Sequence, residues 1–328
     1  MKNFYGKYTK GSSFISSKSD NNFFSDRNIN KVKKNILKNL KKMGIKKKDL
    51  FGKVIMNVGS GREALGLLQF NPKMIYHYDI SSINIRDFNN EIGKKSLNKF
   101  IKTKQLDLSK DKLPIKKFDF IYLHGIIQHV SHVGLAIKNL SNSLKTNGRI
   151  WFYFYRPGSL SILLGSIQRF LLKNIKINEF YKNLKRSNNM HYIHSVMDDC
   201  YVPNRQLFYP NQYKKNLKKN NLEVYGNTYL TNSNKKVNFS KYHLSIVFFC
   251  KKKDSSKSKI RSSMFENLPP KKNINVMDSK YYQDNFIVKK ILNSLNKQKY
   301  EDFSNIYDIV LKLHKIKNYI NNQFLKKK

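Results

Sequence analysis

Cysteine is almost absent from this chain: Cys200 and Cys250 stand alone in 328 residues, too few and too isolated for a disulfide framework or a thiolate metal site. That excludes a disulfide-stapled scaffold and fits a reduced, cytoplasmic setting. Long apolar runs are missing too. The longest, SLSILLGSIQRFLLKN from Ser159, is interrupted by Gln168 and Arg169 and falls short of the ~20 residues a membrane span requires. No segment is therefore expected to cross a bilayer. The first residues, MKNFYGKYTKGSSFISSKSD, hold neither an apolar stretch nor a small-residue cleavage pattern and are not expected to act as a signal peptide. Acids are scarce as well, 21 against 64 basic residues, for a formal net charge of +43. Taken alone, that imbalance implies a polyanionic partner. Yet lysine carries nearly all of it, arginine is scarce, and Asn, Ile, Phe and Tyr abound while Ala, Gly and Pro are few. An AT-rich genome imposes this joint skew on every protein it encodes, and dedicated phosphate readers lean on arginine forks, so both explanations stay open.

What is present is 40% hydrophobic residues, with 22 Phe and 20 Tyr, ample for one α/β core and a smaller unit. Residues 1–28, polar and rich in Ser, Asn and Lys, read as a flexible arm. From Asn28 to Lys48, Ile29, Val32, Ile36, Leu37, Leu40 and Met43 recur at three- and four-residue steps, which predicts an amphipathic helix. Short β-rich runs then alternate with helical patterns. The strands are KVIMNV (53–58), MIYHYDI (74–80), TKQLDL (103–108), FDFIYLHG (118–125) and RIWFYFY (149–155). Helices are predicted from Arg62, from Ile83 to Lys95 and through His129. This alternation predicts a mostly parallel sheet with helices on both faces. Residues 156–208 break the rhythm with two helical patterns and the segment HYIHSVMDDCYVPNRQ, and read as an insertion or lid over the strand ends. The sheet resumes with a helix at Asn211–Lys219 and strands near Leu222–Tyr225 and His243–Cys250, seven strands in all. The main domain is expected over 29–252, a polar linker over 253–280, and a helical appendage over 281–328.

In KVIMNVGSGREA an apolar strand runs into Gly59, Ser60 and Gly61 and then into a helix. A glycine turn there lets backbone N–H groups and a helix N-terminus approach a polar cofactor that side chains would block. Asp79 ends the next strand about twenty residues on, where a carboxylate can accept bonds from ribose hydroxyls. The pattern makes the fold Rossmann-like. As spacing alone, Gly59, Gly61 and Ala64 also satisfy the GxGxxA form of a dinucleotide site, so the turn by itself leaves the cofactor open.

Residues 50–157, and more loosely 206–250, resemble the class I S-adenosylmethionine-dependent methyltransferases. The family's acid-V-G-x-G-x-G motif is matched by Asn57, Val58, Gly59, Ser60, Gly61, Arg62 and Glu63, with Asn57 in place of the acid and Glu63 in place of the third glycine. FDFIYLHGIIQHV followed by LKTNGRIWFYFY is similar to the family's fourth strand, "EHV"-type helix, "LKPGG" turn and fifth strand. YPNQYKKNLKKNNLEV and HLSIVFFC look like its closing helix and last two strands. The resemblance implies S-adenosylmethionine as cofactor, with the glycine turn and Asn57 around it, Asp79 and Ile80 at its ribose, Asp107 and Leu108 at its adenine, and His124 facing cofactor and acceptor.

Methyl transfer needs an aligned acceptor more than a metal, and a base where the acceptor is a hydroxyl or a protonated amine. His124, His191 and His194 are the candidates for that base, none assigned. Arg156, Tyr201 and Arg205 are candidates for binding the acceptor, and Arg156, directly after the fifth strand, could clamp an acidic one. H-x-x-H lacks a third convergent ligand, so no metal is expected. The expected reaction is methylation of an oxygen, nitrogen or carbon on a small molecule. The alternatives are an RNA, most plausibly tRNA, methyltransferase and a catalytically silent binding protein on the same fold.

Overall fold

Ser25 opens the first helix, α1 (Asp26–Lys42), its hydroxyl accepting the Asn28 N–H at 3.4 Å. Asp26 in the first turn and Lys41 and Lys42 in the last complement the helix dipole. In the computed structural model, residues 24–59, 61–155, 160–187, 190–208, 210–227, 245–253 and 306–316 are described. All but the first residue of the expected linker 253–280, most of the expected appendage, Ser60 and Arg156 lie outside them.

Seven strands among the described residues form one sheet: β1 (Val54–Val58), β2 (Met74–Asp79), β3 (Ile101–Gln105), β4 (Phe118–His124), β5 (Leu144–Tyr155), β6 (Leu222–Asn227) and β7 (Ser245–Lys252). Their order is β3-β2-β1-β4-β5-β7-β6. The first five pair in parallel, while β7 runs antiparallel to both β5 and β6. This is the Rossmann-like, mostly parallel α/β fold expected from the sequence, closed by one antiparallel strand. Order reverses at β1, which sits between β2 and β4, and open α/β sheets bind ligands outside the carboxyl ends of their strands at such a switch point.

Alternation along the strands feeds two cores. Ile55, Phe120, Tyr122 and Trp151 face α1, α2 (Arg62–Leu67) and α3 (Ser82–Lys94), while Met56, Ile121, Leu123 and Phe152 face α4 (Val133–Ser143) and α8 (Pro210–Lys219). Gly66 lets α1 lie close on α2: a Cβ there would meet Val32 and Ile36 side chains at 2.9 Å. The third strand falls at 101–105 rather than 103–108, so Asp107 sits on the loop beyond it. The helix expected through His129 is a single 3-10 turn, Ile127–His129, before α4 begins at Val133.

The described part of residues 156–208 contains three helices, α5 (Leu160–Leu171), α6 (Ile177–Ser187) and α7 (Met190–Tyr201). Their apolar faces meet in a core of their own around Leu163, Ile167, Phe180, Leu184 and Val196. Ile306 and Val310 of α9 (residues 306–316) are part of that core, and Gln168 Nε2 donates to the Val310 carbonyl at 2.9 Å. The described part of the C-terminal region thus completes the insertion.

Candidate active site

Both glycines of the turn have left-handed backbone, Gly59 at φ +119° and Gly61 at φ +80°, a region that side chains with a Cβ rarely enter. Space is as restrictive as conformation. A Cβ on Gly59 would lie 2.9 Å from Ile126 Cδ1, and one on Gly61 2.7 Å from Phe88 Cδ2. Gly61 is the N-cap of α2 and Glu63 lies in that helix's first turn, where an anion is favoured by the dipole.

Asp79 ends β2 buried, its Oδ1 accepting the Ser81 N–H at 2.7 Å and Asn84 Nδ2 at 3.3 Å. The same Ser81 caps α3 through the Asn84 N–H, so a local turn and a helix start fix the carboxylate. Gln105 Nε2 donates to the Ile80 carbonyl at 3.0 Å, tying the next residue to β3. Asp107 makes a comparable turn after β3, accepting the Ser109 N–H at 2.9 Å. The Leu108 side chain is buried in the sheet core and its carbonyl accepts from Asn139, so what Leu108 can lend a ligand is backbone.

Asn57 is fully buried on β1. It donates to the Tyr122 carbonyl at 3.4 Å, and its Oδ1 lies 2.9 Å from His77 Nδ1. The sequence reading missed His77, although the cross-strand pairing of Asn57 with His77 puts both on one face. The negative charge absent at Asn57 returns at Glu63, whose Oε1 lies 3.3 Å from His124 Nδ1. His124 ends β4 with its side chain 45% exposed, and the Tyr153 ring meets it edge-on at 4.7 Å between centroids. Where Nδ1–H donates to Glu63, Nε2 is left as a proton acceptor. Substitution of the motif's third glycine by Glu63 was the legible signal of this couple.

Beyond β5 lies a second polar cluster. The Tyr155 ring packs edge-on against His129 at 5.5 Å, and His129 Nδ1 donates to the Asn204 carbonyl at 2.8 Å. Burial, the largest effect, holds His129 below the usual imidazole range, partly opposed by the Asp198 carboxylate. Burial likewise pushes the Tyr155 phenol well up, with Asp198 adding to it. Arg169 donates to the Val202 carbonyl at 2.9 Å and is lowered to about 10, first by burial and then by the charge of Arg205. Arg205 belongs here, as a sequence candidate; Arg169 and Tyr155 were missed, although Arg169 offered the signal of a charge inside an apolar helical run. Tyr201 faces the insertion's own core instead, its hydroxyl donating to the Ile175 carbonyl at 3.2 Å and its ring against Phe180. His191 and His194 fall on α7, and their side chains lie outside the described residues. Among the described residues no group of three His, Cys, Asp or Glu could hold a metal, and no helix is long and apolar enough to cross a membrane.

These residues fit S-adenosylmethionine. A diol suits the fixed carboxylate of Asp79, a ligand surface suits the two glycines, and a sulfonium with an ammonium suits Glu63 at the turn.

Residues 56–152, from inside β1 to inside β5, match a family model described as a methyltransferase domain. No curated protein matches the chain. Among solved structures, the YcgJ protein from Bacillus subtilis is 12% identical with a TM-score of 0.43, over 69% of this chain and 99% of that one. An S-adenosylmethionine-dependent methyltransferase from Mesorhizobium loti is 11% identical with a TM-score of 0.45, over 62% and 93%. Magnesium protoporphyrin IX methyltransferase from Synechocystis PCC 6803, with bound SAH, is 14% identical with a TM-score of 0.43, over 76% and 91%. The glycine turn, Asp79 and His124 all lie inside the stretch that matches the methyltransferase domain, a domain whose methyl donor is S-adenosylmethionine.

Proposed function

We propose that this enzyme methylates an oxygen, nitrogen or carbon of a small molecule in the cytoplasm, under a lid formed by α5–α7. The observation that supports this most is the strap between lid and sheet. The Gln206 N–H donates to the Gln128 carbonyl at 2.8 Å, and its amide donates to the carbonyls of Val130 and Ser131 at 2.8 and 2.7 Å. These bonds draw residues 204–206 over the loop after β4, beside the edge where His124 stands, a covered arrangement suited to a compact acceptor.

When bound, S-adenosylmethionine supplies an electrophilic methyl group on a sulfonium. Asp79 holds the ribose hydroxyls, Asp107 and the Leu108 backbone flank the base, and the Gly59–Gly61 turn gives backbone access. Glu63 offsets the ligand's positive charge and orients His124. His124 Nε2 takes the proton that an acceptor hydroxyl or ammonium must lose, and Tyr153 and Trp151 fix its ring. The lid excludes water from the donor.

A second reading, methylation of RNA, draws on the basic solvent face of α1, where Lys31, Lys34, Lys38 and Lys41 are exposed. Incubating the full-length protein with methyl-labelled donor and, separately, metabolite and RNA fractions distinguishes them. Label in the metabolite fraction is expected; label confined to RNA overturns the small-molecule reading.

A further inference from the structure

We infer that Arg205 is the anchor for a carboxylate group on the methyl acceptor. This rests on the small-molecule reading above and names the class of molecule the site takes.

Arg205 is 7% exposed, and its Nε, Nη1 and Nη2 are all buried without a hydrogen-bond partner. A guanidinium is a five-donor cation, and burying it without an acceptor is strongly unfavourable. The protein nevertheless makes room for it. A Cβ on Gly165 of α5 would come within 3.2 Å of Nη1, so glycine at that position lets the planar group lie against the helix. Arg169, one turn further along the same helix, adds a second cation whose Nη2 is already bound to the Val202 carbonyl.

Position relates this group to catalysis. Its neighbours Asn204 and Gln206 are both bonded to the loop after β4, Asn204 through His129 and Gln206 through Gln128, Val130 and Ser131. From His124 the rings of Tyr153 and Tyr155 lead toward it, with centroid steps of 4.7 and 6.1 Å. Arg205 also acts electrostatically on both Tyr155 and His129. A compact acceptor with its nucleophile at His124 and its anionic end at Arg205 follows that path.

The fork of an arginine matches a carboxylate with two parallel bonds. Phosphate has the same fork chemistry, but Asp198 and Asp199 stand among the same groups, Asp199 paired with His314 at 3.3 Å. Against these two carboxylates a single added negative charge is repelled less than the dianion of a phosphate. Because the guanidinium is covered in this structure, entry requires the insertion, which has its own core, to lift from the strand ends.

The test is NMR of the full-length protein labelled at arginine, with the Arg205 Nε–Hε resonance assigned by its loss in Arg205→Lys. Sodium benzoate is expected to shift that resonance saturably, with affinity roughly tenfold or more above that of benzamide, as a charge-assisted bond implies. A resonance unmoved by benzoate, or moved at lower concentration by inorganic phosphate than by benzoate, overturns the inference. Titration calorimetry with S-adenosylmethionine runs beside it. Failure of the donor to bind while benzoate still shifts Arg205 would remove the small-molecule methyltransferase reading and leave the anion site standing; donor binding with no benzoate response removes only the site.

Discussion

The turn after β1 and the insertion after β5 lie at the same end of the sheet but are built by opposite means. On that side the two carboxylates are held by residues two to five positions away: Asp79 by Ser81 and Asn84, Asp107 by Ser109. In the insertion, groups are held across the chain: Gln168 by Val310, His129 by Asn204. Polar satisfaction is complete for the carboxylate Oδ1 of Asp79 and missing for the guanidinium of Arg205. On the proposed roles, the contrast teaches that the carboxylates of the donor half are preformed by local geometry, while the acceptor half leaves a charge without a bonded partner.

The sharpest way to separate the halves is His124→Ala. General-base catalysis contributes about 10²- to 10⁴-fold, so kcat should fall by that factor while calorimetry shows donor affinity within about threefold of wild type. An equal loss of donor affinity would merge the two halves into one site. The reciprocal change is Gly61→Arg, which forces a side chain into left-handed backbone and against Phe88 at 2.7 Å. Donor affinity is expected to drop by more than about 100-fold, the backbone strain alone amounting to about 1–2 kcal/mol. Asp79→Ala should weaken the donor by roughly 10- to 100-fold, the value of charge-assisted hydrogen bonds.

Stability tests the comparison differently. Phe180 is fully buried in the insertion's core and Phe120 in the sheet's, and truncation of either to Ala should cost about 3–5 kcal/mol. If the two cores are separate units, Phe180→Ala lowers acceptor turnover and one thermal transition but leaves donor binding intact, whereas Phe120→Ala lowers both. Calorimetric scanning of both variants with and without donor reads the outcome, and identical profiles would contradict separate cores.

How much was legible in the sequence follows the same divide. The order of strands and helices, the glycine turn and Asp79 are written in periodicities of two and 3.6 and in short turns, which neighbouring residues specify. Asn57 and Glu63 stood out as departures from a motif, yet their partners His77 and His124 are fixed by pairing between strands and by the reach of α2 over β4, information no local window holds. The packing of Ile306 and Val310 into the core of α5–α7 could not be read at all, because an amphipathic helix advertises an apolar face without naming what covers it. Arg205 was legible as a charge and not as a vacancy: its lack of partners depends on Gly165, forty residues earlier, and on the strap that buries it.

The smallest effect expected concerns pH. His129 lies between the halves, bonded to Asn204 of the strap and packed on Tyr155, with Asp198, Arg169 and Arg205 facing it. Burial keeps its folded pKa below the ordinary value near 6.5, so the folded state resists protonation that the unfolded chain accepts. Stability from the neutral ring is then complete above that ordinary value and declines as pH falls toward the lowered one, since the unfolded state binds more protons in that window. Thermal midpoints measured from pH 8 to pH 5 should fall on the acid side in wild type and fall less in His129→Gln, which keeps a donor for the Asn204 carbonyl without the titration. Because the ring lies where strap meets loop, acid should also loosen the lid before the sheet, lowering acceptor turnover at a pH where donor affinity is still unchanged. A parallel loss of both would place the titration in the donor half and erase the distinction between the two regions.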